Sequence, residues 1–153
     1  MVKGFGTNEP SVALRLFREA AEAGDFRAQG ELAWLYFQGK GVPRDMTNYI
    51  SWTRKAADQG LAESQYNLAS ALGAGLFLQQ DMKEARYWTE KAAQQGLPEA
   101  CFALGNMFAR GDGGAKDMAQ ANVWFRNAAD QHHHAAQFQM ALACFQGLAA
   151  CRT

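Results

Sequence analysis

Two apolar patterns alternate along this chain, and both have the period of a helix. Ala13, Leu16, Phe17 and Ala20 are spaced i, i+3, i+4, i+7, which predicts a one-sided helix that Gly24 is placed to end in the left-handed conformation. The second pattern sets a small residue ahead of an apolar one: Ala28 and Leu32, Ser64 and Leu68, Ala100 and Leu104, Ala136 and Met140. It predicts helices over about 26–38, 62–74, 98–110 and 134–146. Pro98 suits the first turn of its helix, where a missing N–H is no loss, and Gly39, Gly75, Gly111 and Gly147 are placed to close the four segments. Beyond the first three glycines lie Asp45, Asp81 and Asp117. Each aspartate can accept hydrogen bonds from the free N–H groups of the helix it starts, and its charge suits the helix dipole. Asp81 with Glu84, and Asp117 with Gln120, have capping-box spacing, whereas Asp45 with Asn48 does not. The pattern reads as about eight antiparallel helices and no strand.

The elements also repeat. Asp45-Met46, Trp52, Lys55-Ala56-Ala57 and Gly60 return 36 residues later as Asp81-Met82, Trp88, Lys91-Ala92-Ala93 and Gly96. A third copy has Asp117-Met118, Trp124 and Ala128-Ala129, with His132 in the glycine position. The first helix is in phase as well, with Leu16 in the tryptophan slot and Ala20-Ala21 in the alanine slots. A fixed period without insertions marks a stacked-repeat architecture. The expected organisation is an N-terminal extension (1–8) followed by one solenoid domain (9–150). That domain comprises a half repeat (9–24), repeats 25–60, 61–96 and 97–132, and a final helix (133–148).

Composition narrows the function classes. Of the 153 residues 48% are hydrophobic, which suits a folded chain, and fifteen basic residues balance fifteen acidic ones. A net charge of zero argues against nucleic acid and against an anionic membrane surface as partners. Cys101, Cys144 and Cys151 are odd in number and irregular in spacing, and read as reduced thiols. With no apolar leader at the start and no span of membrane-crossing length, the expected location is cytoplasmic.

The blocks AESQYNLA (Ala62–Ala69), GKGVPRD (Gly39–Asp45) and W-x-x-K-A-A-x-Q-G (Trp52–Gly60 and Trp88–Gly96) resemble the Sel-1-like repeat, a cousin of the tetratricopeptide repeat. The likeness covers nearly the whole chain from Glu9. Departures are Phe77 and Leu78 in the second loop, Gly114 at the valine slot that Val42 fills, and His132 for glycine. The resemblance implies an all-α, right-handed α-solenoid of helix pairs, in a family whose members usually act as adaptors holding peptides or proteins.

Comparing the copies separates scaffold from candidate site. Positions filled alike in every copy serve the stacking that every copy needs. Trp52, Trp88 and Trp124 with the alanine pairs fit that description, as do Tyr66, Phe102 and Phe138, although Gly30 interrupts the latter set. Positions that differ are better candidates for binding. One face of each first helix carries Arg27, Glu31, Trp34 and Gln38, then Glu63, Asn67, Ser70 and Ala74, then Glu99, Ala103, Asn106 and Arg110. First helices of such solenoids line the concave surface, so this stripe is the expected groove for a peptide or protein partner. Trp34 is its one large aromatic, and binding hot spots favour such residues.

His132-His133-His134 cannot all face one ion on a helix, and no cofactor or metal is expected. GDGGAKD (Gly111–Asp117) lacks the ending of a phosphate loop and reads as a helix–helix turn. Cys101 and His133 fall in slots that could bring them close, yet no orienting carboxylate or oxyanion hole is evident, so an enzyme is not expected. The last helix carries Phe138, Leu142, Phe145 and Leu148 with no charge from Ala135 to Arg152. The alternative reading is therefore a structural module that associates through this helix, as a homodimer for instance.

Overall fold

The computed structural model describes residues 9–145, with side chains from residue 12. Among them run eight helices and no strand: α1 (Glu9–Glu22), α2 (Phe26–Gln38), α3 (Met46–Asp58), α4 (Ala62–Ala74), α5 (Met82–Gln94), α6 (Pro98–Arg110), α7 (Met118–Asp130) and α8 (His134–Phe145). Leu148 and the end of the predicted last helix lie outside the described residues. By their contacts the residues form two compact units, divided between Ser64 and Gln65. In the first, α1 packs on α2 and α2 on α3. In the second, α5 packs on α6, α6 on α7 and α7 on α8.

The helix starts are fixed locally. Asp45, Asp81 and Asp117 adopt extended backbone and accept from the N–H groups of Asn48, of Lys83 and Glu84, and of Ala119 and Gln120, respectively. Their own N–H groups donate to Tyr36, Leu72 and Phe108 one helix back, so each cap also ties its loop to the preceding helix. Asp25 caps α2 through the N–H of Ala28, a fourth cap that the aspartate spacing did not reveal. Glu84 accepts from the indole N–H of Trp88 at 3.2 Å, so the carboxylate that suits a capping box serves a scaffold tryptophan.

The helix ends explain the alanine pairs and the glycine after them. The N–H groups of Gly60 and Leu61 donate to Ala57 and Ala56, and those of Gly96 and Leu97 to Ala93 and Ala92. His132 and His133 do the same to Ala129 and Ala128. This crossed pair of bonds needs a left-handed residue. Gly60 (φ 97°) and Gly96 (φ 85°) supply it freely, while His132 adopts it at φ 63° against its Cβ.

Leu32 in the first unit, and Leu68 and Leu104 in the second, are wholly buried. Each contributes about 1.5–3 kcal/mol relative to an exposed side chain. Ala56, Ala57, Ala92, Ala93 and Ala128 are buried too, where a larger side chain would hold the helices apart. Trp88 is buried, and Trp52 and Trp124 lie half-buried against the cores of their units. Val42 is buried in its loop.

Two sequence expectations need correction. Tyr66 and Phe102 pack against the core, but Phe138 is 66% exposed. It sits on the last described helix, and no described helix follows to cover it. Gly30 breaks the aromatic set because Leu61 fills the space: a Cβ there would lie 2.6 Å from Leu61 Cδ2. Cys101 is a free, buried thiol, but Cys144 is disulfide-bonded. An odd count does not exclude one pair, and the reduced-thiol argument for a cytoplasmic location loses its footing at Cys144.

Candidate functional site

The stripe predicted on the first helices is solvent-facing. On α2, Arg27, Glu31, Trp34 and Gln38 are all exposed, and on α4 Glu63 is exposed at the end of the same unit. In the second unit Ser70, Glu99 and Arg110 are exposed, and Asn67 and Asn106 are half-buried. The hydroxyl of Ser70 donates to the Tyr66 carbonyl at 2.9 Å, so it is engaged within its own helix. Arg27 and Glu31 line a cavity of about 460 Å³ whose apolar wall comes from Ala13, Leu16, Phe17 and Ala20 on α1.

Trp34 stands at one end of an aromatic group centred on Phe37. It is 45% exposed, and its ring stacks on Phe37 with centroids 5.2 Å apart. Phe37 in turn meets Tyr49 of α3 at 5.1 Å and carries the Arg44 guanidinium 5.5 Å from its centroid. Burial pushes the Tyr49 phenol up, against a hydrogen bond with Thr53. An aromatic contact of this kind contributes about 0.5–1.5 kcal/mol, enough to hold the indole in place with one face toward solvent. Phe37, Tyr49 and Arg44 were missed by comparing slots alone. The signal for Phe37 was its place three residues after Trp34, one helical turn away.

The candidate catalytic pair, Cys101 and His133, does not have the required chemistry. Cys101 Sγ donates to the Ala93 carbonyl at 3.6 Å, and burial pushes its thiol up, away from the thiolate that a nucleophile needs. The His133 ring stacks on Phe102 at 4.7 Å, and its Nδ1 accepts from the N–H of Ala136 at the start of α8. His133 is thus a cap and a packing residue. No group of three His, Cys, Asp or Glu side chains among the described residues could hold a metal ion.

The glycines of the third loop also have a packing explanation. A Cβ on Gly113 would run into the Met82 carbonyl, and one on Gly114 into the Arg86 guanidinium. Arg86 is itself tucked against the Phe108 ring at 4.0 Å and paired with Glu90 at 3.2 Å. These glycines let the loop lie on α5, and nothing about them calls for a phosphate. At the last helix, Phe138, Leu142 and Phe145 are 66%, 40% and 90% exposed. No described helix is long and apolar enough to cross a membrane.

The family model described as "Sel1 repeat" matches residues 3–25, 27–61, 62–97, 98–133 and 134–152. Among solved structures, the chain is 34% identical to a Sel1 repeat protein from Oxalobacter formigenes, covering 82% of this chain and 95% of that one with a TM-score of 0.79. It is 39% identical to c5321, a protective antigen of uropathogenic Escherichia coli displaying an SLR fold, over 88% of this chain but 29% of that one, with a TM-score of 0.82. Helicobacter pylori cysteine rich protein B shares the fold at 18% identity, with a TM-score of 0.66 over 87% and 97% of the two chains. Among curated proteins nothing matches.

Proposed function

Because this chain belongs to the Sel1 repeat family, we propose that it is a non-catalytic adaptor that holds a peptide or protein segment along the exposed face of its first helices. Proteins of this repeat type generally act through protein–protein interactions, on what is typically a non-catalytic scaffold. The observation that carries the reading is Trp34, half-exposed, stacked on Phe37 and flanked on its own face by Arg27, Glu31 and Gln38. A rigidly held indole among polar groups offers a large contact area at little cost in ordering. Preformed helices keep that cost low on the receptor side.

The test is a selection of peptides from a displayed library against the immobilised protein, followed by calorimetry of the enriched sequences. Trp34→Ala should weaken their binding about thirtyfold, the scale of a hot-spot loss of about 2 kcal/mol. Enriched peptides that bind Trp34→Ala and parent alike would refute the assignment. A second reading, self-association through α8, draws support from the exposure of Phe138, Leu142 and Phe145. Light scattering of a Phe145→Glu variant decides it: that reading requires a dimer in the parent and a monomer in the variant.

A further inference from the structure

The third copy of the repeat lacks two side chains that the first copy uses to fill one place. In the first unit, Gln59 Nε2 donates to Gln29 Oε1 at 2.9 Å, and Gln29 Nε2 donates to the Ala21 carbonyl. Beside them Lys55 lays its ammonium 3.9 Å from the centre of the Trp52 ring. The second copy keeps the glutamine bridge, from Gln95 to Gln65 at 2.8 Å. In the third copy the slot of Gln29 and Gln65 holds Cys101, and the slot of Lys55 and Lys91 holds Asn127.

The consequences are visible in the second unit. Cys101 reproduces one glutamine contact, donating to Ala93 at 3.6 Å, but its short side chain offers no amide oxygen to Gln131. Gln131 instead turns back to the carbonyl of Asn127 at 3.2 Å. A cavity of about 480 Å³ lies where the glutamine and lysine atoms are missing. It is lined by Cys101, Trp124, Asn127, Asp130, Gln131 and the turn from Ala93 to Gly96. One lining side chain, Asp130, is charged; none of the described lining residues is basic. Asp130 occupies the slot that Asp58 fills beside Lys55 in the first copy.

From this we infer that the pocket between the end of α5 and α7, with Cys101 of α6 in its lining, receives a lysine side chain of a partner segment, its ammonium seated on Trp124 and facing Asp130. The first copy displays the occupant in its own chain, since Lys55 on Trp52 is an ammonium on the same indole slot. In the third copy the indole and the carboxylate remain and the cation is gone. An indole face and a nearby carboxylate both favour a cation over a neutral chain of equal length. The inference rests on reading the chain as a receptor for protein segments, but on different residues, as Trp34 is not among those lining this pocket.

The test is a titration of the ¹⁵N-labelled full chain with the blocked peptide acetyl-Gly-Lys-Gly-amide, monitored at the four tryptophan indoles and the Gln131 side-chain amide. The norleucine peptide, with the same carbon chain and no ammonium, is the control. The lysine peptide should shift Trp124 and Gln131 saturably in the millimolar range, leaving the Trp52 indole, already covered by Lys55, in place. Asp130→Asn should weaken the response about twofold to fivefold, as the loss of one exposed charge pair does. Cys101→Gln with Asn127→Lys refills the pocket with residues the first copy already folds around, and should abolish the response. Trp34→Ala should respond as the parent does, so failure of the groove reading leaves this result standing. An equal response to the norleucine peptide, no saturable shift at Trp124, or an unchanged response in the refilled variant would overturn the inference.

Discussion

Replacing Gly105 with alanine sets two large effects against each other, and the outcome depends on one ring. In a helix interior the change should stabilise by about 1 kcal/mol, because alanine is the better helix former. At this position an added Cβ would lie 2.6 Å from Cδ1 and Cε1 of Phe125 and 3.2 Å from the Ala121 carbonyl. Carbon atoms in contact sit about 3.5–4.0 Å apart, so the ring must retreat by roughly 1 Å. Phe125 is buried and already meets Phe102 at 5.7 Å, which leaves it little room to move. Overpacking of this kind costs about 1–3 kcal/mol. The expected net effect is therefore a loss of up to about 2 kcal/mol in place of a gain.

The other copies supply the control. The slots of Gly105 and Phe125 hold Ala33 and Thr53 in the first copy and Ala69 and Thr89 in the second, all buried. Phe125→Thr alone should lose about 3 kcal/mol by removing most of a buried ring. In the double variant the alanine methyl enters space the ring has left, so the two losses should not add. Urea unfolding of the four proteins at one concentration yields the coupling energy, expected at about 1–3 kcal/mol. Repeat arrays can unfold in parts, so amide exchange on α6 and α7 should accompany the melts. Additivity within about 0.5 kcal/mol would refute the claim that Gly105 is there to admit Phe125.

Three further outcomes follow from the same geometry. His132→Gly should raise stability by about 1 kcal/mol, or about 2–4 °C in Tm, by removing a non-glycine residue from the left-handed region; a lower melting temperature would contradict this. Gly114→Val, which restores the valine of the first copy, should destabilise by driving a side chain into Arg86 and should be partly rescued by Arg86→Leu, the residue type at the corresponding slot of α1; calorimetric melting of the three variants checks it. The N–H and then the side-chain amide of Asn48 hold the Asp45 carboxyl below its ordinary value of 3.8. Because the folded-state value is the lower one, the contribution of this cap is complete above 3.8 and is lost as pH falls through the folded value. Asp45→Asn keeps an acceptor that does not titrate, so its urea midpoint should fall less steeply than the parent's between about pH 6 and about pH 3.

What was legible in the sequence was whatever the chain encodes within one turn or one period. The aspartate caps, the glycine stops, the buried leucines and the paired alanines all act through neighbours a few residues away or through a slot every copy repeats. Contacts between successive helices were harder to see. Phe125 against Gly105 and Leu61 against Gly30 join residues well beyond one helical turn of each other, and each looks like a blemish until its partner is known. Phe138 was assigned to the core by its slot, but a slot is buried only when the next helix arrives. Most of the stripe on the first helices is exposed, with Asn67 and Asn106 half-buried, yet the spacing alone does not show that Trp34 leans on Phe37 and, through it, reaches Tyr49.

These cases sharpen what a difference between copies means. A position that departs from its counterparts is not a functional candidate on that ground alone. Phe125 departs, and Gly105 departs with it. His133 stands in the slot of Leu61 and Leu97, and its ring lies flat on Phe102. Gly114 stands in the slot of Val42, and Arg86 reaches into the space. In each case a second substitution absorbs the first, and the pair preserves the packing that the stack needs. Cys101 and Asn127 differ in kind, because both are smaller than their counterparts and nothing from the described chain fills the volume they leave. Trp34 differs in the opposite sense, as a large ring added where the second and third copies have a serine and an asparagine, and it stays 45% exposed. Compensated departures repair the scaffold; uncompensated ones leave either an unfilled pocket or an unburied indole. Those two places, Trp34 on α2 and the pocket lined by the end of α5, Cys101 and α7, are the ones on which the proposed partner contacts rest.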